Sequence, residues 1–158
     1  MWETRFSRGF TLIEMMLVVA LLSILAGVAI VAINPNRQLA ETRDNTRRVD
    51  VATIWNAVQQ FMLNNPGDVP GAIPDGELED CLDDPLSSEF TICKTESCDL
   101  ILSELTENSA YLVEIPSDPS VDHEDYSGYN IVRDINRNNR VTVCAPAAET
   151  GEAIYLPK

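Results

Sequence analysis

The sequence predicts an α+β chain: a long N-terminal helix, half transmembrane and half amphipathic, packed against a small C-terminal antiparallel sheet. Three observations predict it. The nineteen residues from Met15 to Ile33 carry no charge, and Ser23 is the only polar side chain among them. Behind them, Val51, Ile54, Trp55, Val58, Phe61 and Met62 recur at helical spacing. Near the C-terminus, Tyr129–Val132 and Arg140–Cys144 are rich in β-branched residues and flank the polar segment Asp134–Asn139.

The apolar run comes first. At the helical rise it spans roughly 29 Å, about the hydrocarbon thickness of a bilayer. A soluble core helix of that length shows a polar face, and this one has none. Arg5 and Arg8 precede it, which places the short N-terminal tail on the cytoplasmic side and the remainder outside. The run is longer than the h-region of a secretory signal, about 7 to 15 residues, and no small-residue cleavage pattern clearly follows it. Glu14 stands at its head. A carboxylate there is either at headgroup level or functional, because hydrocarbon penalises it.

The stretch Arg8-Gly9-Phe10-Thr11-Leu12-Ile13-Glu14 resembles the class III signal of type IV pilins and related pilin-like proteins. The resemblance covers roughly the first 60 residues; beyond them the chain matches only in general layout. It implies that prepilin peptidase cuts between Gly9 and Phe10, that Phe10 becomes a methylated N-terminus, and that the helix stays in the mature protein. The implied organisation is a cytoplasmic leader at 1–9, a transmembrane and filament-core helix at 10–34, and an extracytoplasmic pilin head at 35–158. The implied partners are identical or related pilin subunits, the pilus assembly platform, and membrane lipid before assembly. The subunit would be single-pass in the cytoplasmic membrane and then part of an extracellular pilus.

Elementary electrostatics gives Glu14 a matching role in assembly. A processed Phe10 carries a positive α-amine and Glu14 a negative carboxylate, both at the apolar end of a helix. Each is penalised alone in hydrocarbon, and pairing between neighbouring subunits relieves both. Two rivals share these motifs or dispense with them. One is a type II secretion pseudopilin or a minor or competence pilin; the other is a membrane-anchored binding module whose likeness at Gly9 is accidental.

Asn34-Pro35 interrupts the helix where the bilayer would end, since proline lacks a backbone donor. By the resemblance, a kink is favoured there over a full stop. From Gln38 to Leu63 the pattern turns amphipathic, with Thr53, Asn56 and Gln59 on the wet face. Asp44 to Arg48 offers an attractive i,i+4 pair and Arg43 to Arg47 a repulsive one. Arg37, Arg43, Arg47 and Arg48 are expected to meet lipid headgroups or, preferably, acidic faces of neighbouring subunits. Asn64-Asn65-Pro66-Gly67 ends the helix.

Asp68 to Ser97 reads as a long loop, punctuated by Pro70, Gly71, Pro74, Gly76 and Pro85. A short helix is expected from Asp99 to Glu107, capped by Ser97 or Asp99. After the two strands, Ala153–Leu156 offers a third.

The chain has 158 residues and net charge −14. That length fits one domain plus an anchor, and the 124 residues from 35 onward suffice for one modest core. Between Asn64 and Asp125 stand seventeen Asp or Glu against a single Lys, Lys94. This reads as a solvated acidic surface, with divalent-cation binding or adaptation to salt as functional alternatives. Its field repels phosphate, so no nucleic acid partner is expected.

The four cysteines, Cys81, Cys93, Cys98 and Cys144, suggest two disulfides in an exported head. Of three pairings, Cys81–Cys93 with Cys98–Cys144 is preferred, the first closing the acidic loop. Zinc is the rival, but Cys93 and Cys98 are not a CxxC pair and His123 is the only histidine. Asp134, Asn136 and Asn138 occupy positions 1, 3 and 5 of a calcium-like loop, with Asp118, Asp122, Glu124 and Asp125 as further carboxylates. The loop lacks its acidic twelfth residue, where Ala145 stands, and an Asn-rich turn explains the same residues without metal. No cofactor is therefore assigned. No nucleophile motif, HExxH or phosphate-cradling loop accompanies His123, so the chain is not read as an enzyme.

Overall fold

The computed structural model describes residues 9–32, 34–71, 73–84, 89–95 and 98–157. The chain divides into two compact units, Met1–Gln38 and Leu39–Lys158. Arg5, Arg8, Ile33, Pro85 and Ser97, on which parts of the sequence reading rest, lie outside the described residues.

In the first unit, helix α1 runs Leu12–Ala32, and none of its residues is buried. It is long and apolar enough to cross a membrane, with a mean hydropathy of 2.8. Thr11 Oγ1 accepts the Glu14 N–H at 3.3 Å, satisfying one of the donors a helix start leaves over. The Ser23 hydroxyl donates to the Val19 carbonyl at 2.8 Å. The one polar side chain of the charge-free run thus turns its donor onto its own helix, which suits an apolar surrounding.

Helix α2 spans Pro35–Asn64. Proline suits the first helical position because that N–H would be unpaired anyway. The Asn34 Oδ1 caps it by accepting the Arg37 N–H at 3.3 Å. The interruption at Asn34-Pro35 therefore separates two helices, one ending at Ala32 and the next opening at Pro35.

The second unit is built on a four-stranded antiparallel sheet in sequence order: β1 (Thr91–Cys93), β2 (Tyr126–Asp134), β3 (Arg140–Ala145) and β4 (Ile154–Leu156). Strands β2 and β3 form the expected hairpin, with Ile131 opposite Val143 and Asp134 opposite Arg140. The connection is a single 3-10 turn, Ile135–Arg137, followed by Asn138 and Asn139 at φ 62° and 56°. Asparagine tolerates that left-handed region better than most residues.

Side chains alternate across a strand, and β2 buries both of its faces. Tyr129 and Ile131 join the main core with Val51, Ile54, Val58 and Phe61 of α2, so the amphipathic stripe is core packing. Val132 points into a second cluster with Cys81 and Cys144, bordered by Leu78, Phe90 and Tyr155. Between them Asn130 is buried yet satisfied: its Oδ1 accepts from the Thr91 hydroxyl, and its Nδ2 donates to the Cys81 and Asp83 carbonyls.

The long loop is less irregular than its composition suggests. It contains α3 (Leu78–Cys81) and β1, and it pairs Gly76 N–H with the Arg133 carbonyl at 3.1 Å. The helix expected over Asp99–Glu107 shortens to α4, Ser103–Thr106. Leu100 and Ile101 are drawn out of it because the chain folds back on β1, where Cys93 N–H donates to the Leu100 carbonyl at 2.8 Å and Cys93 bridges Ile101. Asp99 therefore caps nothing; Leu102 stands at the N-cap.

The cysteines pair as Cys81–Cys144 and Cys93–Cys98, which corrects the preferred pairing. The reason lies in the faces of the sheet. Cys144 belongs to the outer cluster, where α3 delivers Cys81, whereas Cys93 belongs to the main core and Cys98 packs against it. The outer-face bond ties α3 to β3, and the inner one closes the tight return after β1.

Candidate functional site

The N-terminal unit carries Gly9, Phe10 and Glu14, the residues for which the sequence predicts processing and assembly roles. Gly9 and Phe10 are exposed and precede the helix, which begins only at Leu12. A Cβ built at Gly9 would meet nothing within 4 Å. The Gly9–Phe10 bond thus lies in non-helical backbone. Phe10 is 77% exposed. Glu14 follows in the first turn of α1, where a carboxylate is favoured by the helix dipole. It is the only ionisable side chain of α1.

The head contains an ionic site that the sequence reading missed. Arg47, fully buried, forks onto Asp118: Nε lies 2.7 Å from Oδ2 and Nη2 3.0 Å from Oδ1. Its Nη1 donates to Asp44 at 2.6 Å and to Glu149 at 3.0 Å. Asp44, also buried, accepts the Glu149 N–H at 3.0 Å, the Thr150 N–H at 2.8 Å and the Thr150 hydroxyl at 2.6 Å. Asp118 accepts in addition from the Ser120 N–H and hydroxyl, each at 2.8 Å. Three chain segments, α2, the 118–120 turn and the 149–150 turn, meet on one guanidinium.

For Arg47 this burial corrects the expected contact with lipid or neighbouring subunits. Arg43 is paired with Glu149 and Arg48 with Glu152, inside the same head as Arg47. The expected Asp44–Arg48 pair is replaced by Asp44–Arg47 at i,i+3. Glu149 accepts from both Arg43 and Arg47 and so neutralises the repulsion expected between them.

Burial opposes charge on Asp44, but the Thr150 hydroxyl, the two backbone N–H groups and Arg47 outweigh it, lowering its pKa from 3.8 to about 2. Glu149 is lowered from 4.5 to about 2, first by its hydrogen bond to Arg43 and then, against burial, by that to Arg47. Burial alone would lower the pKa of Arg47; Asp118, Asp44 and Glu149 together raise it. Nearby, burial and the hydrogen bond to Asp50, at 2.6 Å from its hydroxyl, raise the pKa of Tyr129.

The calcium-like loop is organised as a turn. Asp134 caps the 3-10 turn by accepting the Arg137 N–H at 3.1 Å, and Asn138 takes the left-handed position. Asp118 is engaged by Arg47, and Asp125 accepts from the Thr95 hydroxyl at 2.6 Å. Among the described residues no group of three or more His, Cys, Asp or Glu gathers as for a metal. His123 holds a turn: its Nδ1 accepts the Asp125 N–H at 3.1 Å, and its carbonyl accepts from Lys94.

Against known protein families, residues 4–30 match the prokaryotic N-terminal methylation motif. No curated protein and no solved structure matches the chain. The matched segment contains Gly9, Phe10, Glu14 and most of α1, so the family comparison and the residue chemistry converge on one place. The chain carries a prepilin-type N-terminal methylation motif, which supports a type IV pilin-like protein.

Proposed function

We propose that the chain is a structural subunit of a type IV pilus. Prepilin peptidase cuts between Gly9 and Phe10, leaving residues 10–34 as the anchor and filament-core helix and residues 35–158 as the extracytoplasmic head. The observation that carries this reading is the exposed surface of α1, most of which lies within the matched motif and whose only ionisable side chain is Glu14. Such a surface needs an apolar host. Lipid provides one before assembly, and the helices of neighbouring subunits provide another afterwards.

Glu14 biases the choice between them. In lipid the carboxylate is penalised; in a filament it meets the α-amine of a neighbouring Phe10, fixing the axial register of the helices. The subunit's partners are then the peptidase, related subunits and the assembly platform.

The test is intact mass and N-terminal sequence of protein sheared from the cell surface. A chain beginning at methylated Phe10 and carrying both disulfides is expected. The same processed species confined to membranes would overturn the surface fibre in favour of a pseudopilin or minor pilin. A chain beginning at Met1 would remove the pilin reading. In parallel, Glu14→Leu is expected to give a processed, membrane-inserted subunit with little sheared fibre.

A further inference from the structure

Strand β4 is the last strand of the sheet, and the register fixes which of its backbone groups are free. Ile131 and Arg133 of β2 turn their N–H groups away from β3, onto the Phe90 and Pro74 carbonyls, each at 2.9 Å. Backbone groups alternate along a strand, so Asn130 faces β3 and bonds the residue opposite it, Cys144. By the same alternation Val143 and Ala145 face β4, where Leu156 and Ile154 stand opposite them. The N–H and C=O of Tyr155 therefore point out of the sheet edge, and no hydrogen bond reaches either among the described residues.

The two faces beside this edge differ in chemistry. On the inner face a groove of about 210 Å³ runs between β4 and α2, lined by Arg48, Val51, Ala153, Ile154, Tyr155 and Leu156. It is smaller than small-molecule sites, about 300 to 1,000 Å³, and so suits a side chain rather than a whole ligand. Its one cation, Arg48, is held by Glu152 at 3.0 Å, which leaves an apolar groove with no charge to offer. On the outer face Tyr155 borders the cluster that α3 covers, and α3 carries exposed Glu79 and Asp80 behind an exposed Glu77.

We propose that β4 takes up, as a fifth strand, an extended segment of a partner protein in which apolar and basic residues alternate. Main-chain bonds to the Tyr155 N–H and C=O give the segment its hold. Side chains alternate across a strand, so its apolar residues enter the groove against Val51 and Leu156. Its basic residues then lie on the outer face, toward Tyr155 and the carboxylates of α3. The field of a chain with net charge −14 attracts such a segment and repels a second copy of the chain from the same edge. The site lies within residues 39–158 and does not depend on whether the chain forms a fibre.

The full chain in zwitterionic detergent micelles at low ionic strength is titrated with a blocked heptapeptide of alternating lysine and valine, and amide hydrogen exchange is followed by NMR. Saturable binding that slows exchange of the Tyr155 N–H at least tenfold is expected. The glutamate–valine counterpart, and a peptide with the same lysines and valines gathered in two blocks, should each bind at least tenfold more weakly. Tyr155→Pro removes the outward donor without taking a bond from β3. Ala153→Lys adds a repelling charge at an exposed position lining the groove. Each variant should weaken binding at least tenfold, and Ala153→Lys decides if Tyr155→Pro loses its far-UV spectrum. Absence of saturation, an unprotected Tyr155 N–H, equal binding of either control peptide, or unchanged binding in the folded variants would overturn the site. A Tyr155 N–H that is protected without peptide and released on dilution would overturn the peptide in favour of a second copy.

Discussion

Arg47 and Asp118, 71 residues apart in sequence, meet through a bidentate pair at 2.7 and 3.0 Å with neither side chain exposed. A buried ion pair gains little over a well-packed apolar pair, yet breaking one is strongly destabilising. Here the surplus acceptors are also filled, by Ser120 on Asp118 and by Thr150 on Asp44. The cluster's effect is to specify which turn docks against α2.

Arg47→Met would leave Asp118 and Asp44 buried without their cation. The expected loss is about 3–5 kcal/mol, against about 0–1 kcal/mol for Arg48→Met, whose partner Glu152 is exposed. Urea denaturation of the full chain in detergent, followed by near-ultraviolet circular dichroism, measures both. Equal losses would mean the buried cluster carries no special weight.

Acid should act through the same cluster. A carboxyl whose folded pKa is depressed stabilises the fold fully above its unfolded value, and that contribution is lost as pH falls through the folded value. For Asp44 the window runs from 3.8 down to about 2, and for Glu149 from 4.5 down to about 2. Melting temperature should therefore fall steeply from about pH 4.5 to 2. Asp44→Asn should be less stable at pH 7 and show a shallower acid limb; an unchanged limb would mean Asp44 is not held ionised.

The two disulfides should differ in weight. Cys81–Cys144 spans 63 positions and Cys93–Cys98 spans 5. On the loop-entropy relation, removing the first by paired Cys→Ser exchange costs roughly 4 kcal/mol and the second roughly 2 kcal/mol. Peptide mapping without reduction checks the pairing directly, and a Cys81–Cys93 peptide would contradict it.

What was legible in the sequence follows from local chemistry. The charge-free helix, the stripe from Val51 to Met62 and the Asn-rich hairpin each carry their own period or turn signal, so no distant partner is needed to read them. Strand β1 is three residues long, and α3 is one turn inside a stretch rich in proline and glycine; pairing with β2 and the Cys81 bond give both their form. Arg47 looks like any arginine on a charged helix face. Nothing local distinguishes it from Arg48, because Asp118 and Glu149 arrive from far along the chain. The cysteine pairing failed for the same reason, since the face a cysteine occupies depends on strand register.

Gly128 tests how rigidly Asp118 is held. Its φ is +82°, and an added Cβ would lie 2.8 Å from the Asp118 Cβ and 3.0 Å from a Val121 methyl. Gly67 has a similar φ, +94°, with nothing within 4 Å of the same position. Both Gly→Ala substitutions incur the left-handed penalty, on the order of 1 kcal/mol. Only Gly128→Ala must also displace Asp118, and Asp118 cannot move without disturbing its fork with Arg47. Gly128→Ala should therefore destabilise by at least 1 kcal/mol more than Gly67→Ala, an overpacking cost of about 1–3 kcal/mol. The excess should shrink when Arg47→Met has already released Asp118, because residues in one network are not additive. A full excess in that background would show that Val121, rather than the ionic cluster, sets the limit at this turn.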